Sequence, residues 1–196
     1  MGDRLAAYLD SLPNGVDSYP DIRAKASLIR LAVEVANVAQ PPADVPEPIR
    51  RYFTEPPLPS TWLPEVHYNA FSLAVADARG FTVEQFGAYW YTVSKRLVQS
   101  PLYAGLLGYL TPSIMLRTAA LRWSAFHRGI KLKTAKKAGS LHLELTYPAG
   151  LVPELCIEGY RQVFSAVTHV GKGDATVRLV ERSDDYVIYG AEFGDG

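Results

Sequence analysis

Four histidines are the residues of this chain with the widest range of chemistry, because imidazole can bind a metal, transfer a proton or donate a hydrogen bond. They are His67, His127, His142 and His169, and their positions share no common interval. No pair has the spacing of a zinc-protease helix or a zinc finger. The spacing therefore predicts surface, capping or packing roles for the histidines, and no metal site.

The motifs of covalent catalysis are missing from the sequence. Cys156 is the single cysteine, which excludes an internal disulfide, and its place in an apolar periodic segment predicts a buried structural thiol. There is no Gly-x-Ser-x-Gly motif. Gly171 and Gly173 follow a predicted helix and precede a strand, the reverse of the order in a phosphate loop. We therefore predict a protein that is not an enzyme.

Charge indicates no large anionic partner. Lysine and arginine number 20, aspartate and glutamate also 20, so the formal net charge is +0 and favours neither nucleic acid nor an anionic membrane. Four lysines form a basic cluster: Lys131, Lys133, Lys136 and Lys137. We interpret the cluster as a solvated strand edge, with an anion or RNA patch as the alternative. No apolar run could span a membrane and no secretory signal begins the chain, so we expect a cytoplasmic protein.

Aromatic residues are concentrated between Trp62 and Phe126. Tyrosine and tryptophan bring polar tips that need partners, so their abundance favours a pocket among these helices. We expect the pocket between the helices of residues 81–126 and the strand Leu141–Tyr147. Its candidate ligand-binding residues are Tyr89, Trp90, Trp123, His127 and Tyr147. The alternative is an ordinary aromatic core with no pocket.

Alternation of apolar and polar residues predicts strands in the last third of the chain. Two strands are expected around the lysine-rich turn that is closed by Gly139, the second of them Leu141–Tyr147. Glu154–Val170 has helical spacing, and the runs Ala175–Arg182 and Tyr186–Phe193 are joined by Ser183-Asp184-Asp185. The order β-β-α-β-β predicts a four-stranded antiparallel sheet under one helix.

Helical spacing dominates the preceding residues. Thr82 with Gln85 forms the pattern of a capping box. Further helices are predicted at Arg4–Leu12, Asp21–Gln40, Glu47–Thr54 and Pro64–Ala78, after Ser100-Pro101, and from Thr111-Pro112 to His127, Arg128 and Gly129. We therefore predict one α+β domain of residues 1–196, with a helical subdomain at 1–128 packed on a β-β-α-β-β subdomain at 129–196.

Three runs of the sequence resemble a bacterial family without an assigned activity that is best known from myxobacteria. The runs are Asp17-Ser18-Tyr19-Pro20, Trp62-Leu63-Pro64-Glu65-Val66-His67-Tyr68-Asn69 and Arg122-Trp123-Ser124-Ala125-Phe126-His127-Arg128-Gly129. The second half is more remotely similar to haem nitric-oxide/oxygen binding (H-NOX) domains and to the vinyl-reductase-type (V4R) ligand-binding domains. The similar words are Phe86-Gly87-Ala88-Tyr89-Trp90, Ala125-Phe126-His127-Arg128, and Leu143-Glu144-Leu145-Thr146-Tyr147 followed by Gly150-Leu151-Val152-Pro153.

The H-NOX resemblance implies helices in front of an antiparallel sheet, and roles for two residues. His127 would stand at the haem-ligating histidine, and Tyr147 at the tyrosine of the Tyr-x-Ser-x-Arg motif that holds the haem propionates. In this sequence Ala149 replaces the serine and Leu151 replaces the arginine. These changes remove the hydrogen bond and the charge that would hold haem carboxylates.

Our leading hypothesis is a non-enzymatic, H-NOX-like module of bacterial signalling or regulation, without a cofactor, that binds a small apolar ligand or a protein partner. It is expected to bind neither nucleic acid nor membrane. One alternative is a haem-based gas sensor with His127 as the axial ligand. The other is a structural protein-protein interaction domain whose core is filled.

Overall fold

The fold is mixed α+β, as predicted. The computed structural model describes residues 2–38, 41–101, 114, 118–137, 140–170 and 175–193. Within these ranges the α-helices are α1 Asp3–Ser11, α2 Ile29–Ala36, α3 Glu47–Thr54, α4 Glu65–Arg79, α5 Val83–Gln99, α6 Ala119–Trp123 and α7 Glu154–Val170. The strands are β1 Arg23–Lys25, β2 Trp62–Pro64, β3 His127–Arg128, β4 Lys131–Lys137, β5 Ser140–Thr146, β6 Ala175–Arg182 and β7 Tyr186–Phe193.

The C-terminal sheet has the predicted β-β-α-β-β order. Its four antiparallel strands lie in the order β4-β5-β7-β6. Alternation along β5 buries Leu141, Leu143 and Leu145, whereas His142 and Glu144 face the other side and are half-buried. The period of two in the sequence therefore identified the buried face correctly.

Helix α7 packs between this sheet and α5. On the sheet side, the Tyr189 hydroxyl donates to the Ile157 carbonyl at 2.7 Å. On the opposite side, Gly159 lies against the rings of Phe86 and Trp90, and a Cβ there would be 3.3 Å from each ring. A glycine at this point lets α5 approach α7 closely.

A second, three-stranded antiparallel sheet joins distant parts of the chain, in the order β2-β1-β3. The prediction of one helix over Asp21–Gln40 is wrong in its first part, because Arg23–Lys25 pairs with both β2 and β3. The prediction that the helix from Thr111-Pro112 runs to His127, Arg128 and Gly129 is wrong at its end. Helix α6 ends at Trp123, and the Phe126 carbonyl accepts from the Lys25 amide at 2.7 Å. Long-range strand pairing overrides helical spacing at both places.

Other helix boundaries follow local signals. The capping box at the start of α5 is confirmed, since the Thr82 side chain and the Gln85 side chain each bond the other's backbone N–H. Helix α4 is buried along most of its length and ends at Gly80, whose φ is +60°. No described helix is long and apolar enough to cross a bilayer. The helix predicted after Pro101, the helix start at Thr111-Pro112, and the glycines at 139, 171 and 173 lie outside the described residues.

Candidate functional site

A buried carboxylate lies at the centre of the candidate site. Glu65 is the first residue of α4, directly after β2, and its side chain is fully buried. The Tyr160 hydroxyl donates to Oε1 at 2.6 Å, and Nδ1 of His127 lies 3.0 Å from Oε2. The backbone N–H of Glu65 donates to the Ile22 carbonyl at 2.8 Å. We call Glu65, His127 and Tyr160 the buried triad; it joins α4, β3 and α7.

Aromatic rings enclose the His127 imidazole. Trp123 stacks on it with ring centroids 4.0 Å apart and an interplanar angle of 11°. Tyr160 and Tyr68 meet it edge-on, with centroids at 5.8 Å and 6.4 Å. The His127 side chain keeps 11% of its surface exposed. Within the described part of the chain only Nδ1 has a hydrogen-bond partner, so the ring is oriented by one nitrogen.

Trp123 is itself held in place by its surroundings. Its indole N–H donates to the Ile130 carbonyl at 3.0 Å, and its ring stacks on Phe164 of α7 with centroids 5.9 Å apart. Burial leaves 7% of the residue exposed. Trp123 therefore fixes one face of the His127 ring from the short helix α6.

The two aromatic candidates on α5 lie in the same set of rings. Trp90 contacts Tyr68 with centroids 5.5 Å apart, and Tyr68 in turn meets His127. Tyr89 packs against Trp90 at 5.3 Å, and its hydroxyl donates to the Ala32 carbonyl at 2.9 Å. Tyr89 and Trp90 are thus linked to His127 through Tyr68, a residue that the sequence did not single out.

Tyr147 lies apart from the other candidates. It follows β5, and its backbone N–H donates to the Asp185 carbonyl at 2.9 Å. Its hydroxyl is buried and has no hydrogen-bond partner among the described residues. Burial, with a smaller contribution from Asp185, raises the pKa of Tyr147 to about 12. The phenol is therefore neutral at physiological pH, and it forms none of the ring contacts that connect the other four candidates.

The loop after Tyr147 is fastened to the N-terminal helices. The Leu151 carbonyl accepts from the Tyr8 hydroxyl at 2.7 Å and from the Asn69 amide at 3.0 Å. The Tyr19 hydroxyl donates to the Ala149 carbonyl at 2.9 Å. The Leu151 side chain is fully buried. Backbone carbonyls and an apolar side chain thus occupy the loop in which the H-NOX resemblance would place a serine and an arginine.

A cavity of about 10 Å³ lies between α4, α5 and α7, lined by Tyr68, Asn69, Ser72, Trp90, Cys156, Gly159, Tyr160 and Val163. This is on the order of the space that one water molecule needs. Oδ1 of Asn69 is buried and has no hydrogen-bond partner among the described residues, so a water would be well placed there. Burial raises the pKa of the Cys156 thiol, which makes a structural role fit better than a reactive one.

The remaining histidines have separate surroundings. Nδ1 of His67 lies 2.8 Å from the Tyr52 hydroxyl, and burial lowers the pKa of His67. His142 lies on the outer face of the large sheet, and His169 meets the edge of Tyr91 at the end of α7. No group of three or more potential metal ligands occurs among the described residues.

Sequence reasoning missed the two partners of His127 in the triad. Glu65 follows Pro64 at a helix start, where an acidic residue ordinarily has a capping or dipole role. Tyr160 has the spacing of an apolar helix face, and its hydroxyl gave no separate signal. The run Glu65-Val66-His67-Tyr68 contains the acid and a neighbouring histidine, His67. Nothing in the run indicates that Glu65 bonds instead to the distant His127.

The described residues do not fit a haem held as the H-NOX resemblance implies. An imidazole oriented by a carboxylate suits an axial ligand, because metal-bound histidines are ordinarily supported in this way. The second attachment is missing, since Leu151 is buried and apolar where an arginine would bind the propionates. The described residues therefore supply an axial ligand but no propionate anchor at position 151.

Comparison with solved structures finds the same fold in H-NOX domains. An oxygen-binding H-NOX domain related to soluble guanylate cyclases is 13% identical with a TM-score of 0.59, covering 86% of this chain and 92% of its own. A single-residue variant of the T. tengcongensis H-NOX is 12% identical with a TM-score of 0.59, covering 87% and 98%. A Cs H-NOX variant with an unnatural amino acid is also 12% identical with a TM-score of 0.59, covering 87% and 97%.

Sequence comparisons add no family. No protein-family model matches the chain, and no curated protein matches it. The resemblances to the myxobacterial family and to V4R domains therefore stay predictions. Identities of 12% and 13% to solved structures show the fold alone. The chain has an H-NOX-like α+β fold.

Proposed function

We propose that the chain is a non-enzymatic binding module of a signalling or regulatory system, whose ligand contacts His127 and Trp123. The observation that carries this proposal is the fully buried Glu65 carboxylate, bonded to His127 at 3.0 Å and to Tyr160 at 2.6 Å. The rings of Trp123 and His127 are stacked on each other beside that carboxylate. Tyr89 and Trp90 are part of the same site because Tyr68 connects them to His127, whereas Tyr147 lies at the margin of the site.

A functional role explains the buried triad better than a purely structural role does. Burying a carboxylate is costly, and apolar residues of similar volume often give an equally stable or more stable protein. Glu65 orients the imidazole, so that Nε2 has a defined direction. Since the described residues offer Nε2 no hydrogen bond, this nitrogen is available to a ligand that donates to it or accepts from it.

The ligand class that suits these surroundings is small and amphipathic. Trp123 and Tyr68 provide apolar surface beside the imidazole, and the ring nitrogen provides one polar anchor. A cavity of about 10 Å³ does not admit such a ligand as it stands. This cavity is lined by neither Trp123 nor His127, so the ligand would approach His127 through the 11% of its side-chain surface that is exposed.

A haem-based gas sensor with His127 as axial ligand is the second candidate. The Glu65–His127 pair favours it, because a carboxylate behind the ligating histidine raises the basicity of the imidazole. The fold is also that of structures described as an oxygen-binding H-NOX domain. The buried Leu151 opposes it, since it supplies neither charge nor hydrogen bond to a propionate.

Absorption spectroscopy separates the two candidates. The absorption spectrum of the purified protein is recorded before and after haem addition, together with His127→Ala and the control His67→Ala, whose Nδ1 lies 2.8 Å from the Tyr52 hydroxyl. We expect only the spectra of protein and unbound haem. An intense Soret band that disappears in His127→Ala but persists in His67→Ala would replace the leading proposal by the haem sensor.

Thermal shift separates the leading proposal from a structural interaction domain with a filled core. A panel of small amphipathic compounds is tested on the native protein and on Trp123→Ala. We expect at least one compound that raises the melting temperature of the native protein and not that of the variant. If no compound in a broad panel shifts the native protein, the interaction domain is the better account.

A further inference from the structure

The outer face of the three-stranded sheet carries an uncompensated group of cations. Along β1, Ala24 points into the core, whereas Arg23 is exposed and Lys25 is half-buried. On the neighbouring strands, Arg128 is exposed and Trp62 is half-buried. We call Arg23, Lys25, Trp62 and Arg128 the basic face.

Trp62 lies within the reach of two of these cations. The Arg128 guanidinium carbon is 4.0 Å from the centroid of the Trp62 ring, and Nζ of Lys25 is 5.1 Å from it. Lys25 is also directly opposite Trp62 in the strand register. The aromatic ring thus holds both positive groups at one place on the surface.

Arg23 and Arg128 are directly opposite each other on β1 and β3. Like charges at directly opposite positions of an antiparallel pair destabilise the sheet. This repulsion destabilises a small sheet, whose three strands have only three, three and two residues. A ligand that neutralises the pair would remove this cost.

No acidic side chain of the described residues lies within ion-pair distance of the basic face. None of its three cations forms an ion pair within those ranges, whereas Arg4, Arg50, Arg51, Arg161, Arg178 and Arg182 all do. Glu65 lies close in sequence to Trp62, but its carboxylate is buried and bonded to His127 and Tyr160. Arg23 and Arg128 are exposed, so these charges face solvent.

Backbone geometry at Gly129 holds β3 close to the start of β1. Its φ is +87°, and a Cβ at this position would lie 2.3 Å from Cδ1 of Ile22. A glycine here lets the chain turn from β3 into β4 while Ile22 packs against it. The close approach keeps β3 against β1, and so keeps Arg128 beside Arg23.

We propose that the basic face is a binding site for a phosphate group. Two planar guanidinium groups offer paired donors that match the oxygens of phosphate, and Lys25 adds a third positive charge. A phosphate near neutral pH carries close to two negative charges, which balances the repelling arginine pair. Trp62 forms the apolar wall of the site, so an organic group attached to the phosphate would contact the indole.

This site is distinct from the buried triad, although the two are neighbours. His127 and Arg128 are consecutive on β3. The His127 side chain faces the core, whereas the Arg128 side chain lies on the surface. The proposal does not depend on the proposed function, because its residues are not those that contact the ligand of His127. Phosphate binding alone decides whether the proposal is correct.

Isothermal titration tests the proposal with inorganic phosphate and with phenyl phosphate at constant ionic strength. The two probes distinguish free phosphate from an organic phosphate monoester, which the Trp62 wall should bind more tightly. We expect one site per chain and about a tenfold loss of affinity in each of Arg23→Gln and Arg128→Gln. Arg96→Gln, an exposed arginine on α5, is the matched control and should bind as the native protein does.

Trp62 emission gives an independent readout. Phosphate should draw Arg128 away from the ring and change the emission of the native protein, but not that of Trp62→Phe. If Arg128→Gln fails to fold, Arg128→Lys takes its place, since it keeps the charge and loses the planar fork; several-fold weaker binding is expected. The proposal is overturned if neither probe binds at millimolar concentration, or if the basic-face variants bind like the Arg96→Gln control.

Discussion

Glu65 accepts a hydrogen bond of 2.6 Å from the hydroxyl of Tyr160, a residue 95 positions later in the chain. Burial, together with the Glu65 charge and this hydrogen bond, raises the pKa of Tyr160 well above its ordinary value, so the hydroxyl keeps its proton. The bond joins the start of α4 to the middle of α7. Through the second oxygen of Glu65, the same carboxylate holds His127 on β3.

We predict that Tyr160→Phe lowers the free energy of unfolding by about 1.5 to 3 kcal/mol, because it leaves a buried charged acceptor without its donor. Urea denaturation measures the change. Tyr186→Phe is the matched control, since the Tyr186 hydroxyl donates to Glu181 at 2.5 Å in an exposed hydrogen bond. The control should change stability by less than about 0.5 kcal/mol. Equal losses in the two variants would contradict a central role for the Glu65–Tyr160 bond.

We predict that the free energy of unfolding decreases below neutral pH because His67 becomes protonated. Burial lowers the pKa of His67, so the unfolded chain binds a proton at a higher pH than the folded chain does. The stabilising contribution is complete above the unfolded pKa of about 6.5 and is lost as the pH falls through the lower folded pKa. Protonation would also constrain the hydrogen bond between Nδ1 and the Tyr52 hydroxyl, because both nitrogens of a protonated imidazole are donors.

Melting temperatures between pH 7 and pH 5 test this for the native protein, His67→Gln and His169→Gln. We expect His67→Gln to show a shallower decline than the native protein, whereas His169→Gln, an exposed histidine at the end of α7, keeps the native slope. A native slope in His67→Gln would assign the acid sensitivity to another group.

Two glycines with left-handed backbone provide a matched test of close packing. Gly129 and Gly80 have φ values of +87° and +60°. A Cβ on Gly129 would lie 2.3 Å from Cδ1 of Ile22, whereas nothing lies within 4 Å of one on Gly80. Gly80→Ala should cost only the backbone strain, about 1 kcal/mol. Gly129→Ala should cost more in chemical denaturation because Ile22 must also move, and an equal cost would show that Ile22 adapts freely.

Cys156 is predicted to resist thiol reagents in the folded protein. Its residue is buried and its thiol pKa is raised by burial, so little thiolate is exposed to a reagent such as DTNB. The rate of labelling should rise steeply as urea approaches the unfolding midpoint. Rapid labelling without denaturant would mean that α7 opens locally, and would revise the assignment of a structural thiol.

Local patterns predicted the parts of the fold that are stabilised by neighbouring residues. The alternation in β5 identified the buried leucines, and the Thr82–Gln85 pair marked the start of α5. Each signal repeats over a few residues and depends on short-range geometry. The β-β-α-β-β order followed from such signals because its hairpins connect consecutive strands.

Long-range pairing explains what the sequence did not predict. The strand Arg23–Lys25 has three residues, too few for a periodic signal, and its partners lie far away in the chain. His127 was placed at a helix end because its preceding residues have helical spacing. Its partner Glu65 is 62 residues away, so no local spacing could reveal the triad. Of the five candidate site residues, four are linked by ring contacts and Tyr147 is not.

The three-stranded sheet also constrains the order in which the chain can fold. Its strands come from residues 23–25, 62–64 and 127–128, so the sheet forms only when three distant segments of the chain meet. Closing such long loops is slow compared with forming a hairpin between consecutive strands. The C-terminal hairpins need only local contacts, whereas the pairing that brings His127 to Glu65 requires long loops to close. The candidate site therefore depends on contacts between segments that are distant in sequence.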